Sequence, residues 1–142
     1  MSAYPSTDAV RDLIAAFESH ELPHADWTHR AHLTVAAWYV LWYGPDAALD
    51  HVRDGIRAHN AAHGIVQTPT GGYHETITRF YVWLVSRAVR RSGVSASLGD
   101  IVNRVVDECT DREIPYGYYS RERLMSGDAR RGWVEPDLAA LD

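Results

Sequence analysis

Apolar residues recur along this chain at spacings of three and four, the period of helices with one buried stripe. Val10, Leu13, Ile14 and Phe17 form the first stripe, and Ser6 or Thr7 is placed to cap it before the polar run ESHELPHAD ends it. A second helix is predicted from a cap at Asp26 or Thr28 through Tyr43, stopped by Gly44-Pro45. Its apolar residues lie on all sides, as expected of the central helix in a bundle. The third runs from about Pro45 to His63, with Leu49, Val52 and Ile56 inward and Gly64 as its stop. After the loop IVQTPTGG, a fourth spans about Tyr73 to Arg91, with Ile77, Tyr81, Leu84 and Ala88 on one stripe. Ser97 and Asp100 form a capping box for a fifth helix ending at Cys109, built on Leu98, Ile101, Val102, Val105 and Val106, although its valines also favour strands. The tail from Ile114 reads as short turns capped at Ser120 and Ser126, then an extended Pro136-Asp137 segment. No repeat, linker or low-complexity run interrupts the pattern. The expectation is an all-α, single-domain bundle of about five helices over residues 1–142, with an irregular C-terminal tail wrapped on it.

Composition narrows the function classes. The 142 residues are 46% apolar, enough for one domain that buries roughly 68% of its unfolded surface. The net charge of −5 comes from 19 acids against 14 bases, and all the bases are arginine. Scattered arginines on an acidic chain argue against nucleic acid as a partner. A single cysteine, Cys109, rules out an internal disulfide or a multi-cysteine zinc site. Neither a leader-like N-terminus nor an apolar run of about 18 residues is visible, so the expectation is a cytoplasmic protein with no membrane partner. The expected partner is a small-molecule substrate, with a homodimer left open.

The stretch DWTHRAHL, residues 26–33, opens the most apolar segment with two imidazoles. At 100° per residue His29, His32, Leu33, Ala36, Tyr39, Val40 and Tyr43 share a face, so the two rings point the same way. Ala36, a small residue among large aromatics, leaves space below them. A helix N-terminus disfavours imidazolium, and the neutral ring is the form that binds metal or acts as a base. A matching constellation, Thr68 to Thr78, places His74 in the first turn of the fourth helix. If the two helix starts meet, His29, His32 and His74 form a three-histidine site for Zn or Fe with an open position. Glu75, Thr78 and Tyr81 are then candidates for proton transfer. Arg30 and the turn Thr70, Gly71, Gly72 are candidates for an anionic substrate group, the glycines permitting close backbone approach. Tyr119, with Tyr116, Tyr118 and Arg130, is a candidate substrate or lid residue in the tail.

Plainer readings stand beside these. His59 and His63, i and i+4, read as a solvated face rather than a second metal site. Glu75 and Arg79 read equally well as a surface ion pair. HELPH, residues 20–24, has the wrong spacing and an internal proline for a zincin motif. The Trp38 to Tyr43 aromatics read as core, and Cys109 as a small buried apolar residue.

The segments WTHRAHL at 27–33, GYHETIT at 72–78 and YSRERLMSGDARRGWVEPDL at 119–138 resemble the hallmarks of a group of short, uncharacterised bacterial proteins. The resemblance covers most of the chain and implies that the three segments belong together; it carries over no activity, catalytic residue or cofactor. Three function classes follow. The first is a metal-dependent enzyme on a small polar or anionic substrate: a hydrolase, lyase or oxygenase. The second is a metal-free histidine acid/base enzyme of isomerase, lyase or cyclase type. The third is a non-catalytic helical module for small-molecule binding or assembly.

Overall fold

The computed structural model describes residues 4–92 and 97–142, so the first three residues, part of the segment read for a leader, lie outside it. Its architecture is an all-α bundle of five long helices: α1 (Thr7–Glu18), α2 (His29–Tyr43), α3 (Pro45–Ala62), α4 (Glu75–Arg91) and α5 (Leu98–Cys109). Two short helices, α6 (Arg121–Leu124) and α7 (Gly127–Arg131), follow a 3-10 turn at Ile114–Gly117. The starts are set by hydroxyl caps: Ser6, Thr28, Ser97, Ser120 and Ser126 each accept from the N–H three residues on. The valines of α5 form helix because Ile101, Val102, Val105 and Val106 are all buried on one face against α2 and α4.

α2 is the central helix, packed against α3, α4 and α5, and its burial from Leu33 to Val40 is continuous. α1 closes one side. Phe17 lies over Gly55 so tightly that a Cβ there would stand 2.5 Å from the ring. Trp27 stacks on Phe17 at 4.5 Å.

α4 differs from its expected single stripe. Val82, Val85 and Ala88 join the main core, whereas Phe80 turns the other way into a second core with Tyr119 and Leu124 of the tail. Ile77, Tyr81 and Leu84 are only half-buried because they run along the seam between the two. The tail is therefore a packed layer. Thr76 Oγ1 donates to Gly132 O at 2.8 Å, and Tyr119 Oη donates to Val134 O at 2.8 Å.

The loop before α4 is a small closed turn. Thr68 and Gly71 pair as an isolated bridge, and the Gln67 side chain both accepts from Tyr73 N and donates to Tyr73 O, each at 2.9 Å. Gly72 takes φ +87° with Gln67 Oε1 2.6 Å from where a Cβ would be. Glycine is required there by turn geometry and by Gln67.

Candidate functional site

A cavity of about 400 Å³ lies between α2, α3 and α4. α2 contributes His29, His32, Leu33 and Ala36, the face expected from helical spacing, with Ala36 opening the floor. α3 adds Val52 and Ile56, and α4 adds Ile77, Thr78, Tyr81 and Val82. Trp27 and Thr28 form one rim, and Arg112, on the turn after α5, forms the other. The walls are apolar with a few convergent polar groups, the usual make-up of a small-molecule site.

His32 is held on two sides. Its ring stacks on Trp27 with centroids 3.8 Å apart, and Nδ1 lies 2.7 Å from Thr28 O. A carbonyl oxygen only accepts, so Nδ1 carries the proton and Nε2 keeps its lone pair. Burial drives the pKa of His32 down to about 4, against the partial opposition of the Thr28 bond. His29 packs edge-on against Tyr81 at 5.3 Å. Burial also lowers its pKa; the Arg112 charge adds to the effect, and a hydrogen bond at the Thr110 backbone opposes it. His29 Nε2 is buried without a hydrogen-bond partner among the described residues. Both imidazoles are therefore neutral at pH 7.

Tyr81 has its pKa pushed up to about 12, chiefly by burial, so its phenol stays a proton donor. Thr78 lines the cavity but gives its hydroxyl proton to His74 O at 2.8 Å. Arg112 is exposed and makes no ion pair among the described residues. It also reaches the two flanking hollows at His29, one toward Arg30 and Thr110, the other toward Tyr116 and Leu124.

The other expected residues stand elsewhere. His74 is the N-cap of α4: Nδ1 accepts from Ile77 N at 3.0 Å and Nε2 donates to Leu124 O at 2.8 Å. With both nitrogens used, it neither lines the cavity nor completes the three-histidine set. Among the described residues no three His, Cys, Asp or Glu side chains are gathered as a metal's ligand set. Glu75 is paired with Arg53 of α3 through both carboxylate oxygens, at 2.9 and 2.6 Å, and accepts from Tyr73 Oη at 2.7 Å. Those bonds hold its pKa below the usual carboxylate range, so it clamps α3 to α4 instead of moving protons. Arg79, its expected partner, lies over the Trp133 ring.

Arg30 is buried and bound to Asp107 at 2.8 Å, so its charge is spent within the bundle. The anion cradle expected from Thr70, Gly71 and Gly72 is not formed. Thr70 is exposed, Tyr73 N is taken by Gln67, and Ile77 N is taken by His74. Tyr119 is wholly buried in the second core.

His59, expected on a solvated face, is also wholly buried, sharing a 3.1 Å hydrogen bond with His24 and packing against His63 and Trp27. Its pKa falls to about 4 by burial, reinforced by His63, His24 and His20.

Arg112 is the functional candidate that sequence reasoning missed. It lies in an ordinary polar turn, DRE, and reaches the cavity only because α5 packs on α2 and α4. No family model matches the chain, and no curated protein or solved structure matches it. The class these features define is an all-α bundle with a neutral imidazole pair in a largely apolar pocket.

Proposed function

We propose that the chain is a small acid/base enzyme acting on a compact molecule with an apolar body and one anionic group. The observation that supports this most is the pairing of His29 and His32 in one cavity, both neutral, with an unprotonated Nε2 fixed on His32 by the Thr28 carbonyl. Arg112 at the rim binds the anionic group, and the apolar walls take the body. His32 Nε2 removes a proton from the substrate. The Tyr81 phenol donates a hydrogen bond where negative charge builds on the substrate, the His32 imidazolium returns its proton to a second substrate atom, and His29 Nε2 accepts a hydrogen bond that orients the substrate. A ring of pKa about 4 is by itself a weak base, but an anion bound nearby raises it toward neutrality. The chemistry that fits is isomerisation, elimination or ring formation.

A second reading rests on the same tautomer. Histidines that ligate metals commonly donate the other ring N–H to a carbonyl, as His32 does to Thr28. His29 and His32 would then offer two nitrogens to Zn or Fe, with water and the substrate's anionic group completing the shell.

Titration of labelled protein with benzoate, a ring bearing one carboxylate, separates the readings. We expect saturable shifts at the His29, His32 and Trp27 ring resonances without added metal, and about tenfold weaker binding in Arg112→Gln. Shifts that require one equivalent of Zn²⁺ favour the metal reading. No response at these rings in either titration removes both.

A further inference from the structure

A second cleft, of about 370 Å³, opens between α3, the loop before α4, and α7. Three arginines face it: Arg57, Arg130 and Arg131. We propose that this cleft binds the phosphoryl group of a small ligand, at a site separate from the imidazole pocket.

Charge is the first argument. On a chain of net charge −5, three guanidiniums share one hollow, and among the described residues the carboxylate bonded to any of them is Asp128, which reaches Arg131 between two largely exposed side chains. A surface pair of that kind yields readily to a stronger acceptor. Neither Arg57 nor Arg130 makes an ion pair among the described residues.

Geometry is the second. Arg130 gives Nη1 to Gly72 O at 3.0 Å, which fixes the guanidinium, while its Nε is buried with no acceptor among the described residues. A guanidinium carries five N–H groups in a fixed fork, so this one is held and still has donors to give. Arg57 Cζ lies 4.8 Å from the centre of the Tyr73 ring, and its guanidinium has no hydrogen-bond acceptor among the described residues. Asn60 adds a polar side chain, and Ile65 gives an apolar wall for the rest of the ligand.

A carboxylate carries one charge and two oxygens, which one arginine satisfies. A phosphoryl group carries up to two charges and three oxygens, and it can take forked bonds from several guanidiniums at once. Ile56 and Arg57 are neighbours on α3, yet Ile56 lines the first cavity and Arg57 the second. The two sites thus lie on different sides of one helix.

The test is calorimetric titration of the whole chain with inorganic pyrophosphate at low ionic strength. Wild type binds saturably, and Arg57→Gln with Arg130→Gln weakens binding at least about tenfold. Arg112→Gln, in the other pocket, leaves it unchanged. If loss of the Gly72 contact unfolds that double variant, Arg57→Gln with Arg131→Gln, both exposed, must show the same loss. Absence of saturable binding, equal affinity in a folded double variant, or equally effective competition by acetate overturns the proposal.

Discussion

Lowering the pH from about 7.5 to about 5 is expected to cost each of His32 and His59 about 2 kcal/mol of folding stability. Both rings sit near pKa 4 in the fold, below the ordinary 6.5. The unfolded chain therefore binds protons that the folded chain refuses. The stabilisation is complete above pH 6.5 and is lost as the pH falls toward 4. Glu75, held low by Arg53, loses its own contribution only at lower pH, below the ordinary carboxylate value. Urea midpoints at the two pH values measure the loss. His59→Leu should remove about half of it, because His59 is wholly buried and its hydrogen-bond partner His24 is exposed. A midpoint that does not move between the two pH values contradicts the assignment of buried neutral rings.

Replacing Phe80 by Ala should destabilise the fold by about 3 to 5 kcal/mol, the range for emptying a fully buried aromatic site. Phe80 has no exposed surface and meets the rings of Tyr81, Trp83, Tyr118 and Tyr119, so it is the centre on which the tail packs. Tail residues Pro115, Tyr116 and Leu124 wall the hollow beside His29 and Arg112. The same variant should therefore become more sensitive to protease between Ile114 and Asp142 and lose ligand-induced shifts at His29. Chemical unfolding and limited proteolysis check the two effects. A loss below about 1 kcal/mol would mean that the tail is not anchored through this residue.

The parts of the site that could be read in the sequence are those that depend on one helix. His29, His32 and Ala36 share a face by helical geometry alone, and the caps at Ser6, Thr28 and Ser97 are local as well. What failed depended on partners distant in the chain. His74 looked like a ligand because it lies in a first turn beside glycines, but Leu124, fifty residues on, takes its second nitrogen. Gly72 suggested an anion cradle, but its positive φ and the Gln67 side chain explain it as a turn. Glu75 has the spacing to pair with Arg79 on its own helix, whereas its partner Arg53 comes from α3. His59 and His63 have the spacing of a polar face, and only the packing of Phe17, Trp27 and His24 over α3 makes that face interior. Arg112 carried no local signal, since its place depends on where α5 ends relative to α2.

The chemistry proposed for the pocket depends on His32 presenting a neutral, unprotonated Nε2. Long-range ¹H–¹⁵N correlation of the imidazoles across a pH titration reads both the tautomer and the pKa of that ring. The prediction is an Nδ1–H tautomer at neutral pH, persisting until protonation near pH 4. An Nε2–H tautomer, or protonation near the ordinary histidine value of about 6.5, would contradict it.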